Sequence, residues 1–272
     1  MDAKLRRLTV GLAFESALDQ GLDVVALEGL YSDPDETGIR ELHGRLIASV
    51  DHRDREVAIW LEPALGAEPL ESDPARLAGE MREMEFILLT LARRAGAAQQ
   101  EVNAWMNYVA NAAQFIVDGF WIDAKILLSR ALMSSGTPAV EALKADPDLL
   151  YEVDALQRAT AAYFEELRGY PVSISVPAGR LDAALDLQGI MIDLMRRWGR
   201  DEEEMHVRET VRGLSSVLRH LTESRETPED IRKELGVVAN RIDWFLPSIA
   251  DEDRRSLLED YRRTIGVLAS RL

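Results

Sequence analysis

The chain contains no cysteine. Disulfide frameworks, thiolate nucleophiles and cysteine-ligated zinc or iron–sulfur centres are therefore excluded. Lysine is almost absent as well, with 4 residues against 28 arginines, a bias expected of a GC-rich bacterial genome. No apolar run approaches the roughly 20 residues that a membrane-spanning helix needs. The sequence has no Gly-x-Ser-x-Gly elbow, no phosphate-binding Gly-x-x-x-x-Gly-Lys loop and no Gly-x-Gly-x-x-Gly turn. Serine-hydrolase, P-loop and dinucleotide-binding chemistry thus lack their usual carriers.

What is present is ordinary for a soluble globular protein. Of 272 residues, 47% are apolar and 29% charged, and the formal net charge is −16. A surface of that sign repels phosphate backbones, so direct nucleic-acid binding is not expected. Residues 1–179 carry 29 acidic and 16 basic side chains, and residues 180–272 carry 19 and 16. The opening stretch pairs Lys4, Arg6 and Arg7 with a short apolar patch that ends at Glu15. It reads as an amphipathic helix rather than a signal peptide, and a cytoplasmic location is expected.

The most apolar stretch is 80–132. Leu77, Met81, Met84, Leu88, Leu91 and Ala95 recur at steps of three and four, as do Val102, Trp105, Val109, Ala112 and Ile116. That spacing is one helix face, twice over, broken at Gly96. Phe86, Ile87 and Leu89 widen the first stripe, which predicts a helix buried on more than one side. Asp73-Pro74, Thr137-Pro138, Asp146-Pro147 and Thr227-Pro228 each place a capping side chain before a proline at the first helical position. Residues 51–56 read as a charged bend and 56–61 as a strand or a single helical turn before Pro63. Residues 63–74 read as a surface loop. Val172, Ile174 and Val176 alternate with serines between two prolines, which is extended geometry.

After residue 180 four stripes follow. Leu181, Leu185, Gln188, Met191, Met195 and Trp198 form the first, and Val207, Val211, Leu214, Leu218 and Leu221 the second. Ile231, Leu235, Val238, Ile242 and Phe245 form the third, and Leu257, Tyr261, Ile265, Leu268 and Leu272 the fourth. Short links make neighbours antiparallel. We expect an all-α protein of nine or ten helices built from packed antiparallel hairpins. Its C-terminal part would be an up-down four-helix bundle or a short helical-pair array. The expected division is an N-terminal unit over 1–170 centred on the 74–168 helices, a linker over 171–179 and a four-helix unit over 180–272. Residues 119–132 resemble the second half of a tetratricopeptide repeat, with Gly119, Trp121, Ala124, Ala131 and Leu132 at its spacing. The first half has no match, and a close helix crossing needs the same small residues.

Candidate sites are few. Glu203 and His206 form Glu-x-x-His, but the second copy that a di-iron carboxylate bundle requires is missing, so the pair reads as an acidic helix start. His43 and His52, the latter between Asp51 and Asp54, lack a partner motif, and His220 suits a helix C-terminus. Glu80, Glu83 and Glu85, with Asp118 and Asp123, do not complete a magnesium pattern. No metal or cofactor is therefore assigned. Trp105, Tyr108, Phe115, Phe120 and Trp121, with His206, are the candidate pocket or interaction residues. Trp60, Trp198 and Trp244 are candidates for an interface.

The sequence leaves open whether the chain is an enzyme. The functional reading is a non-catalytic helical interaction module, an adaptor, scaffold or chaperone-like binder. It would hold a protein partner, basic in character, in a groove between helix pairs, and a homo-oligomer fits the same reading. One alternative is a helical-bundle enzyme or small-molecule or metal binder with an interior site. Another is an acidic mimic or inhibitor of a basic or nucleic-acid-binding partner.

Overall fold

The computed structural model describes residues 2–66, 73–170, 172, 174, 176–177, 179–198, 205–223 and 227–272. For Met205, His206, His220, Thr222 and Glu223 it describes the backbone alone. These residues form 13 α-helices and no strand. The helices are α1 (Ala3–Gln20), α2 (Val25–Ser32), α3 (Glu36–Ile47), α4 (His52–Leu65), α5 (Pro74–Ala92), α6 (Gln99–Asp118) and α7 (Trp121–Ser135). They continue with α8 (Pro138–Ala142), α9 (Pro147–Arg168), α10 (Leu181–Trp198), α11 (Met205–Glu223), α12 (Pro228–Phe245) and α13 (Glu252–Arg271). No described helix is long and apolar enough to cross a membrane.

All four Asp/Thr-Pro pairs begin helices. Asp73 accepts from the amides of Ala75 (3.0 Å) and Arg76 (3.2 Å), and Asp146 accepts from Asp148 (2.9 Å). Thr137 accepts from Val140 at 3.5 Å. Thr227 and Asp230 close a reciprocal capping box. Each device satisfies an amide that the first helical turn would leave unpaired. Residues 51–56 depart from the expected bend. Asp51 accepts from the Arg53 amide at 2.9 Å and caps α4, which runs unbroken to Leu65 with Pro63 inside it. Pro63, two residues before the end at Leu65, lacks the amide that would bond to the carbonyl four residues earlier, and the helix stops within a turn of it. The short α2 and α8, with α4, bring the number above the nine or ten expected.

The chain divides into two compact units, Glu41–Val172 and a second made of Met1–Arg40 with Ser173–Leu272. The expected unit over 1–170 differs from this division in its first 40 residues. Counted on this division, the units carry net charges of −9 (21 acidic, 12 basic) and −7 (27 acidic, 20 basic). The acidic excess is thus shared between them.

In the Glu41–Val172 unit, α5, α6 and α7 follow one another as an antiparallel meander. Arg76 pairs with Glu166 and Arg94 with Glu152, so α9 runs antiparallel to α5. Trp105 is fully buried at the centre, and its indole N–H donates to Thr160 Oγ1 at 3.0 Å. Thr160 in turn donates to the Leu156 carbonyl at 2.9 Å. A buried indole N–H usually finds such an acceptor. Gly119 takes φ +79° to end α6, and Ala124 and Ala131 are fully buried on α7. Small side chains there let α6 and α7 cross closely.

In the other unit, α10 to α13 pack each on its chain neighbour, and α1 packs along α10. Arg241 on α12 donates to the Glu209 carbonyl near the start of α11, which makes that pair antiparallel. By contrast Lys4 pairs with Asp182, and the Leu8 carbonyl accepts from Gln188 Nε2 at 2.9 Å, so α1 runs parallel to α10. No short link joins α1 to α10, and so none dictates antiparallel order. Gln188 passes directly over Gly11, where an added Cβ would stand 2.0 Å from Gln188 Oε1.

Gly11→Ala is therefore expected to displace Gln188, break its bond to Leu8 and cost about 1–3 kcal/mol. Chemical denaturation followed by circular dichroism checks this.

Candidate functional site

The two apolar cores enclose several polar groups. The most buried cation is Lys125 on α7, fully buried in the Glu41–Val172 unit. Its ammonium donates to the Glu62 carboxylate on α4, to the Tyr170 carbonyl (2.9 Å) and to the Arg168 carbonyl (3.4 Å). The last two lie at the C-terminal end of α9, where free carbonyls and the helix dipole favour a cation. Three acceptors match the three N–H groups of an ammonium. Burial pushes Lys125 below the usual lysine range and Glu62 above the usual carboxylate range, and their mutual attraction opposes both shifts. Farther along the same pair of helices, Glu56 binds Arg130 through both oxygens at 2.7 and 2.8 Å. Trp121, one turn before Lys125, stacks on Tyr170 with ring centroids 5.0 Å apart. This cluster ties α4, α7 and α9 together.

A second polar cluster lies in the Met1–Arg40 and Ser173–Leu272 unit. Glu15 Oε1 on α1 and Gln188 Oε1 on α10 are both buried acceptors without a donor. Burial raises Glu15 to about 8, and the neighbouring Gln188 amide offsets only part of that. A proton on Glu15 removes a buried charge and supplies an O–H where acceptors outnumber donors. Tyr31 of α2 stands nearby, with the Arg7 guanidinium 4.6 Å from its ring centroid. Burial raises Tyr31 too, and Glu15 and Asp186 add to the shift.

At the surface of that same unit, Arg197, Trp198, Asp253, Arg254 and Leu257 line a cleft of about 250 Å³. Trp198 is buried, its Nε1 has no acceptor, and Arg254 stands 5.9 Å from its ring centroid.

The residues singled out from sequence are distributed differently. Trp105 is core, and Tyr108, Phe115 and Trp121 are half-buried against that core. Phe115 meets Phe120 edge to face at 6.0 Å. The side chain of His206 and the whole of Glu203 lie outside the described residues. Glu80, Glu83 and Glu85 fall in the middle of α5 rather than at its start, and Glu80 pairs with Arg76 at 2.6 Å. His52 lies 3.5 Å from Asp51 in the first turn of α4. Among the described residues no three His, Asp or Glu side chains gather as a metal site.

Sequence reasoning missed Lys125 and Glu15, although the signal was present. Lys125 interrupts the apolar run 119–132, and Glu15 ends the patch 8–14. Gln188 sits on its predicted apolar stripe, and its burial follows from that.

Several large apolar side chains are exposed. On α5, Phe86 is 69% exposed, Ile87 46% and Leu89 38%; on α12, Trp244 is 73% and Val237 55%. The widened stripe of α5 therefore reaches solvent, which differs from a helix buried on more than one side. The searches against family models, curated proteins and solved structures returned no match to this chain.

Two predictions follow from the enclosed polar groups. Glu15 is protonated in the fold up to about pH 8 and ionised above about 4.5 when unfolded. Unfolding then releases a proton between those limits, so stability falls as pH rises through them and levels off above. Glu15→Gln is expected to flatten this dependence and to exceed the native chain by about 1–3 kcal/mol at pH 8, read from urea melts across the pH range. Lys125→Met leaves Glu62 buried without its cation and is expected to cost about 3–5 kcal/mol, most of which Lys125→Met with Glu62→Leu recovers. A double-mutant cycle by denaturation measures it.

Proposed function

We propose that this chain is a non-catalytic helical protein-interaction module of a bacterial cytoplasm. It presents exposed apolar helix faces to protein partners. The observation that carries this reading is the exposure of Phe86 and Trp244 on helices whose other faces are buried. Each stands on a long helix whose opposite face is buried, and each has an apolar companion on the same outward side: Leu89 for Phe86, and Val237 for Trp244. On α12, Lys233, Val237, Asn240 and Trp244 recur at steps of three and four, the pattern of a helix face that meets another surface. Large exposed aromatic residues are the usual anchors of such contacts, because they bury much area for little lost side-chain freedom.

The formal charge of −16 would draw basic partners from a distance, while the apolar faces supply the contact itself. The enclosed groups, Lys125 with Glu62 and Glu15 with Gln188, serve packing in this reading.

Native mass spectrometry of the chain purified gently from its own host tests the proposal. A bound protein or a homo-oligomer is expected. Trp244→Glu should release a partner held on α12, with stability changed by no more than about 0.5 kcal/mol, as for other exposed positions. A stoichiometric small molecule or metal, unaffected by Trp244→Glu and Phe86→Glu, would overturn it.

A further inference from the structure

We propose that α1 and α2 form an arm latched to α10 by a single proton, which Glu15 carries and donates to Gln188 Oε1, and that loss of this proton to water releases the arm while α10 to α13 stay folded.

The latch stands on a mismatch of donors and acceptors. Gln188 spends its Nε2 on the Leu8 carbonyl at 2.9 Å, and its Oε1 is buried without a donor. Glu15 lies beside it, with Oε1 also buried and without a donor. A carboxylate only accepts, so ionised Glu15 leaves both oxygens unsatisfied. A carboxyl supplies one hydrogen that joins them. Turning the Gln188 amide over would offer Nε2 to Glu15 but set Oε1 against the Leu8 carbonyl, so rotation only moves the defect.

No cation replaces the proton among the described groups around it. On α1, Arg7 lies over the Tyr31 ring, Arg6 binds Glu36, and Lys4 pairs with Asp182 at 2.6 Å. On α10, Arg196 pairs with Glu28 of α2 at 2.7 Å. The other titratable groups nearby are Tyr31 on α2, Asp186 on α10 and Asp19 on α1, and none of them brings positive charge.

The packing makes the release local. The principal neighbours of α1 are α2 and α10. The α2 helix also reaches α10, through Glu28 and through Tyr31, whose hydroxyl lies 4.0 Å from where a Cβ on Gly189 would stand. The Lys4–Asp182 and Arg196–Glu28 pairs are exposed and hold the arm weakly. Besides α1, α10 packs on α11 and α13, and those contacts remain when the arm leaves. Paired helices of this kind open as cooperative units before the whole domain unfolds. Glu15 makes overall stability depend on pH; the arm decides where the chain opens first.

Hydrogen–deuterium exchange of the full chain from pH 6 to pH 9, corrected for the intrinsic exchange rate, tests the latch. Glu15 keeps its proton to about pH 8 in the closed arm and to about 4.5 in the open one. Opening of α1 and α2 should therefore rise about 50-fold from pH 6 to pH 8, and less than about twofold from pH 8 to pH 9. Amides of α12 should stay at least about tenfold better protected throughout. Glu15→Gln, whose amide donates to Gln188 Oε1 at every pH, should make opening of the arm independent of pH. Tyr31→Phe should keep the rise, and with the profile of the native chain it gives a result that does not need the Glu15 variant to fold. A flat profile in the native chain, a rise that survives Glu15→Gln, a rise lost in Tyr31→Phe, or equal protection of α1 and α12 would each overturn the proposal.

Discussion

A buried ammonium permits almost no freedom of placement, and the Glu41–Val172 unit is arranged around one. Lys125 stays buried because Glu62 and the carbonyls of Arg168 and Tyr170 converge on it. Those acceptors come from α4 and from the end of α9, so satisfying the cation fixes where both helices sit on α7. Glu56 and Arg130 repeat the tie farther along the same pair of helices. Apolar packing alone would tolerate sliding of one helix past another; paired buried charges do not. Such pairs add little net stability over apolar replacements, so their contribution here is to register.

The other unit meets the same constraint with neutral groups. Gln188 reaches across bare Gly11 to the Leu8 carbonyl, which brings α1 close against α10. The contact leaves Gln188 Oε1 and Glu15 Oε1 enclosed together, and the carboxyl holds its proton to about pH 8 as a result. A close crossing and a displaced acid–base equilibrium are therefore one feature of the packing. They join segments about 180 residues apart in the chain.

The aromatic cluster of α6 and the start of α7 is spent on packing: Trp105 on Thr160, Phe115 on Phe120, Trp121 on Tyr170. What remains unburied is a set of apolar residues on helices whose inner faces are already complete. The net negative charge is shared almost evenly by the two units.

Local features of the sequence determined where helices lie. Capping by Asp73, Thr137, Asp146 and Thr227, the stop at Gly119 and the three-and-four stripes act within a turn or two of backbone, so they are legible without neighbours. The cap at Asp51 was equally local, yet the charged residues around it were read as a bend. Burial and partnership were decided only in the tertiary structure. Phe86 and Leu88 are both large and apolar, two positions apart on one helix; one reaches solvent and the other is core. Nothing in their spacing says which side other helices will cover. The parallel pairing of α1 with α10, the three acceptors of Lys125 and the enclosure of Glu15 likewise depend on chain segments far apart in sequence. Periodicity reports what a helix is able to bury, and only the packed neighbours determine what it does bury.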